Sequence, residues 1–364
     1  MLSPLEQVAI AGQSVWSDQI SRAMLGSGEL QRRIDEDAVT GVTSNPSIFA
    51  KAIVGSADYD DQLEEMRGRG ASAEEVIAAL MTSDIQRACD VLTDVHRKTD
   101  GRDGYVSVEV TPTLAHETDA TVAEAREWVK RVDRPNLLVK VPATKAGLPA
   151  ISQLIGEGIS INVTLIFGLQ RYREVMEAYL DGIERYVASG GNPAKVASVA
   201  SFFVSRMDVE VDRRLSEIGT DEATALAGTT AVANTRLAYE AFLEAFTGAR
   251  WQRLVVAGAR IQRPLWASTS TKNPDYPDTL YVDELIAPHT VNTMPLETID
   301  AYQDHGPRPR AFGPEEIAAA HGTIDSMADV GVDYDDVMEV LETEGVDKFI
   351  ESWNDLVSDV ESQL

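Results

Sequence analysis

The chain has 364 residues, 44% hydrophobic and 25% charged, with a formal net charge of −27; this is an ordinary composition for a globular protein. The length suits a (β/α)8 barrel with insertions, a fold that takes roughly 250 residues. The charge argues against nucleic-acid partners, the single cysteine Cys89 leaves no intrachain disulfide, and no apolar run approaches the ~20 residues of a membrane span.

The start, Met1-Leu-Ser-Pro-Leu-Glu-Gln-Val, lacks the basic and apolar regions of a secretory signal, so a cytoplasmic location with no membrane partner is expected. Short apolar strands then alternate with segments of helical period, as in βα units on a parallel sheet. Strands are predicted near 13–18, 38–44, 105–110, 136–141, 158–164, 196–204, 262–268 and 284–289. Helical periodicity falls over 57–68, 73–97, 118–131, 146–156, 168–188, 205–217 and 221–247. Ser72 and Thr118 stand where helix N-caps followed by acids are expected. Eight strands with helices between them favour an α/β fold, a (β/α)8 TIM barrel over 1–310. A doubly wound sheet is the alternative, but no Gly-x-Gly-x-x-Gly follows a strand. Residues 311–364 are expected to form acidic helices packed on the barrel. Glu315 to Glu361 hold fifteen acids and one base, Lys348, with Val337, Leu341, Val346, Phe349 and Leu356 at helical spacing. The charge run itself is read as a solvated face.

The fourth strand, in Asn136-Leu-Leu-Val-Lys-Val-Pro-Ala-Thr144, places Lys140 inside an apolar run. Burial disfavours the charged form of an amine, and a neutral amine is what imine chemistry on a carbonyl needs. A lysine snorkelling to solvent is the bland alternative. Side chains alternate along a strand with period two. In a barrel the outer face must be apolar to receive the helices, so polar residues of one parity point inward. Glu109, Lys140, Asn162 and Thr164 have that parity, while Asp18 and Asn45 close the first and second strands. Six polar groups from five strands, near the ends where barrel enzymes keep their chemistry, make a site rather than a core. The serine-rich turn of Ser198–Arg206 and the four hydroxyl residues before Lys272, at the ends of strands six and seven, supply with Arg206 and Lys272 the hydroxyls and cations suited to a phosphate. The five histidines are scattered, so no metal ligand set and no cofactor is expected.

The blocks Gly41-Val-Thr-Ser-Asn-Pro-Ser-Ile48, Val106-Ser-Val-Glu109, Leu138-Val-Lys-Val-Pro-Ala-Thr144, Ile161-Asn-Val-Thr-Leu-Ile166 and Ala200-Ser-Phe-Phe-Val-Ser-Arg206 resemble the transaldolases, in family order across the barrel. Val15-Trp-Ser-Asp18 and Pro264-Leu-Trp-Ala-Ser-Thr269 extend the match, and the long form resembles the bacterial branch. The resemblance implies dihydroxyacetone transfer between sugar phosphates of the pentose phosphate pathway. Lys140 would form the Schiff base, and Asp18 would act as general acid/base. Glu109 and Thr164 would handle the water, and Asn45 and Asn162 would bind substrate hydroxyls. Ser201, Arg206 and Ser268 would hold the phosphate. The pattern departs from the family at Ser270, where many members carry a second phosphate arginine; Lys272 is the inferred substitute. Another Schiff-base sugar-phosphate aldolase, or a non-catalytic sugar-phosphate-binding barrel, are the competing readings. The sequence leaves the oligomeric state open.

Overall fold

Each apolar run that carries inward polar residues becomes one stave of a closed barrel in the computed structural model, which describes residues 2–364. The strands are β1 (Gln13–Ser17), β2 (Val39–Val42), β3 (Val106–Glu109), β4 (Leu137–Pro142), β5 (Ile161–Ile166), β6 (Ser198–Phe203), β7 (Gln262–Ala267) and β8 (Thr290–Met294). All are parallel, pair in chain order, and close through β8 on β1. Closure leaves no unpaired sheet edge. Among the described residues, no helix is long and apolar enough to cross a membrane.

The N-terminal end of the lumen is plugged by a bonded charge pair. Arg263 donates to Asp103 at 3.1 Å, to the Thr290 carbonyl at 2.7 Å and to Ser14 Oγ at 2.6 Å. Asp103 also accepts from the Trp16 indole at 3.0 Å. A buried charge is tolerable only when paired and hydrogen-bonded, and this one is. Gly41 makes room for the indole, since a Cβ there would lie 2.5 Å from the ring.

Several predicted elements moved. The eighth strand is Thr290–Met294 rather than 284–289. Leu285, Ile286 and Ala287 are buried, which explains the apolar signal. Pro288 and the left-handed His289 (φ 64°) then turn the chain into the true strand. The segment 221–247 is broken into Asp221–Thr224 and Thr230–Ala245 by a turn through Gly228, φ 72°. Asp208, from the preceding helix Ser205–Ile218, caps the second piece by accepting from Ala231 N at 2.7 Å and Thr230 Oγ1 at 3.0 Å. That tertiary cap overrides a continuous helical period. Segment 57–68 opens with a 3-10 turn, Ala57–Tyr59, before the helix Asp60–Gly68. Ser72 does cap helix Ala73–Lys98, in a reciprocal box with Glu75. Thr118 does not cap; it is the first helical residue, and its hydroxyl donates to the Ala146 carbonyl at 2.7 Å.

The acidic segment forms two helices, Pro314–Asp329 and Tyr334–Glu361. The first packs on Thr230–Ala245. The second runs over the C-terminal end of the barrel, touching helix Pro46–Ile53 after β2, the end of β5, and helix Ser205–Ile218 after β6. Its apolar stripe, including Val337, Leu341, Val346, Phe349 and Leu356, is buried.

Candidate active site

In parallel ladders, residues in register share a face. Glu109 on β3, Lys140 on β4 and Asn162 on β5 are in register, so all three enter the lumen at one level. Lys140 is 5% exposed. Its Nζ donates to Glu109 Oε2 at 3.1 Å and to the Ser44 carbonyl at 3.2 Å. Burial pushes the Glu109 carboxyl up from its ordinary pKa, against the pull of the Lys140 charge. Glu109 Oε1 and Thr164 Oγ1 are buried and have no hydrogen-bond partner. Lys145, the nearest rival amine in sequence, is exposed.

Asp18 follows β1 directly and stands half-buried on the cavity wall. Burial pushes its pKa up to about 6; Lys272, Lys140 and Lys51 pull it down, and Glu297 pushes it up. Asn45 caps helix Pro46–Ile53 through its side-chain oxygen, 2.9 Å from Ile48 N. That bond uses the oxygen and leaves the amide N–H groups for the cavity.

Asn162 lies deeper than Asn45. The fifth strand runs to Ile166, so Asn162 sits near its start and is fully buried. Its amide donates to Ser107 Oγ at 3.0 Å, and its oxygen accepts from Ser201 Oγ at 2.7 Å. Here it orients Ser201 rather than facing the cavity. Ser201, having given its proton to Asn162, faces the cavity as an acceptor, which suits a sugar hydroxyl better than a phosphate.

Cations gather on one side of the cavity. Arg206 is the second residue of helix Ser205–Ile218, and its Nη1 is buried without a partner. Its guanidinium carbon lies 5.2 Å from the Phe203 ring centre and 5.8 Å from that of Phe349. Ser268, in a left-handed turn (φ 56°), shares a 2.8 Å hydrogen bond with Ser205 Oγ. Two hydroxyls sharing one bond keep one O–H free to donate. Lys272 is exposed at the same rim and donates to Ser270 Oγ at 2.6 Å.

Seven predicted residues line one cavity of about 550 Å³: Asp18, Asn45, Lys140, Ser201, Arg206, Ser268 and Lys272. Glu109, Asn162 and Thr164 lie outside that lining, buried within the barrel. The sequence reading missed Lys51, Phe203, Glu297 and Phe349, which also line it. Phe203 was within reach of parity, two residues beyond Ser201. Glu297 was lost with the misplaced eighth strand. Phe349 had registered only as part of an apolar stripe. Among the described residues, no three His, Cys, Asp or Glu side chains gather as a metal site. A buried amine, a carboxyl of raised pKa and a cluster of cations suit a carbonyl substrate with an anionic tail.

Comparison with known proteins identifies the family. Residues 15–360 match the family model described as Transaldolase/Fructose-6-phosphate aldolase. A transaldolase of Thermobifida fusca is 54% identical over 364 residues, covering 100% of this chain and 99% of its own. Transaldolases of Mycobacterium leprae and Mycobacterium tuberculosis are 52% and 53% identical over 361 residues, covering 99% of this chain and 96% and 97% of theirs. On a match of this length and identity, the chain belongs to the transaldolase/fructose-6-phosphate aldolase family and is a transferase of the transaldolase kind.

Proposed function

We propose that the protein moves a dihydroxyacetone unit from sedoheptulose 7-phosphate to glyceraldehyde 3-phosphate, giving erythrose 4-phosphate and fructose 6-phosphate, through an imine on Lys140. One observation carries the reading. The Lys140 amine, held by Glu109 and Ser44, opens into a cavity that also presents Asp18, Arg206 and Lys272. The amine adds to the ketose C2 carbonyl and loses water, leaving an iminium. Asp18 takes the C4 hydroxyl proton as C3–C4 breaks, and the bonding pair moves into the iminium to give an enamine. With a pKa of about 6, Asp18 is ionised at neutral pH, yet basic enough to accept a proton and return it. The enamine carbon then attacks the acceptor aldehyde, whose oxygen recovers that proton. Glu109 and Thr164, each with an unpartnered buried oxygen, are assigned the water of imine formation and hydrolysis. Arg206, Ser268 and Lys272 are assigned the phosphate; a lysine contributes a point charge and no bidentate fork. Asn45 keeps N–H groups free for a substrate hydroxyl.

Borohydride reduction with fructose 6-phosphate tests this. A three-carbon adduct is expected on Lys140, and Lys140→Ala is expected to lose both adduct and transfer. An adduct on Lys145 would overturn the assignment.

A further inference from the structure

The helix that covers the site comes from the acidic C-terminal segment, far along the chain from the residues of the cavity floor. Close contacts set it down on the loop after β5. A Cβ on Gly168 would lie 2.9 Å from Met338 of that helix, and a Cβ on Gly345 would lie 3.0 Å from Phe167. Polar anchors hold its first residue and a point nine residues before its end. Tyr334 Oη donates to Asn234 at 2.7 Å, and the Ser47 and Ser352 hydroxyls meet at 2.7 Å. One helical turn after Gly345, and so on the same face, Phe349 enters the cavity wall.

Phe349 is only 4% exposed. Its ring centre lies 5.6 Å from Lys140 Nζ and 5.8 Å from the guanidinium carbon of Arg206. The ring therefore lies within the range of cation–π attraction of both the amine and the phosphate-side cation. An apolar face beside that nitrogen offers water no hydrogen-bond partner there, and closed sites use water exclusion to prevent hydrolysis of reactive intermediates.

We propose that Phe349 is a shielding residue that keeps the three-carbon enamine from water until the acceptor aldehyde arrives, so that the enzyme transfers rather than merely cleaves. This rests on the imine reading above. The reaction it suppresses consumes one water. The enamine carbon takes a proton from water, and the iminium carbon takes the hydroxide. The C–N bond then breaks, with the nitrogen keeping the pair and taking the hydroxyl proton, to leave dihydroxyacetone and free Lys140.

The test measures two products in one incubation. Fructose 6-phosphate and erythrose 4-phosphate are supplied, and free dihydroxyacetone and sedoheptulose 7-phosphate are both quantified. Phe349→Ala is expected to raise the ratio of release to transfer by about tenfold, the change that ~1.4 kcal/mol between competing barriers produces. Phe349→Leu keeps most of the helix packing and is expected to shift the ratio the same way by a smaller factor. It serves as the deciding variant if Phe349→Ala does not fold. A purely structural role would lower both products together and leave the ratio unchanged. An unchanged ratio in the folded variant overturns the shielding role. Borohydride trapping on the parent is run alongside. No adduct on Lys140 would overturn the imine reading itself, whereas an adduct with an unchanged ratio overturns only the role of Phe349.

Discussion

Replacing Asp18 by asparagine is expected to stabilise the fold at alkaline pH while removing most of the activity. Burial raises the Asp18 pKa from 3.8 to about 6. The folded state therefore binds more protons than the unfolded state between those values, and stability contributed by this group falls as pH rises through the window. Below about pH 3 the carboxyl is protonated in both states and costs nothing. Above about pH 6 the folded protein carries a desolvated carboxylate. A two-unit shift corresponds to about 3 kcal/mol at 1.36 kcal/mol per unit; partial exposure of the half-buried group screens this to roughly 2 kcal/mol. Asparagine has no charge to desolvate, so Asp18→Asn is expected to gain that amount at pH 8 and almost none at about pH 3. The assay is urea unfolding of both proteins across that range, where the difference between them cancels every other titration. The same variant is expected to lose ~10²–10⁴-fold in kcat, the usual contribution of general acid–base catalysis, while still being trapped by borohydride. A stability difference that is constant with pH, or a variant less stable at pH 8, would refute the burial argument.

Arg206→Ala is expected to raise KM for fructose 6-phosphate with little change in kcat, because in the proposed reaction Arg206 holds a phosphate away from the bond that breaks, and such binding is uniform. Turnover of unphosphorylated fructose is expected to match the parent; equal losses on both sugars would contradict the phosphate assignment. Prolonged EDTA treatment is expected to leave turnover unchanged, since in the proposed mechanism the iminium supplies the electron sink, and a loss restored by zinc or magnesium would point to metal-assisted cleavage. Asp103→Ala leaves Arg263 buried without its counter-charge at the closed end of the barrel. It is expected to cost about 3–5 kcal/mol in urea unfolding, as removal of one partner of a buried pair does.

Much of the barrel and its floor was legible in the sequence because the information is local. A strand's two-residue period states which side chains share a face, and seven of its strands announce themselves as apolar runs. Lys140, Glu109 and Thr164 could be assigned to the lumen on that ground, and their burial in the structure agrees. What escaped depends on contacts between distant segments. The apolar run 284–289 reads as a strand until Pro288 and His289 are seen to turn, and the true strand is weaker by pattern because Thr290 and Asn292 are polar. Asn162 has the right parity for the cavity, yet Ser107 and Ser201 occupy its amide. Phe349 looks like any other member of a helical stripe. Only the docking of Tyr334–Glu361 across the barrel mouth, where Gly168 and Gly345 allow close approach, brings its ring to Lys140 and Arg206. Periodicity specifies which face of an element is apolar; the partner of that face is decided by tertiary packing, and here the partner is the active site.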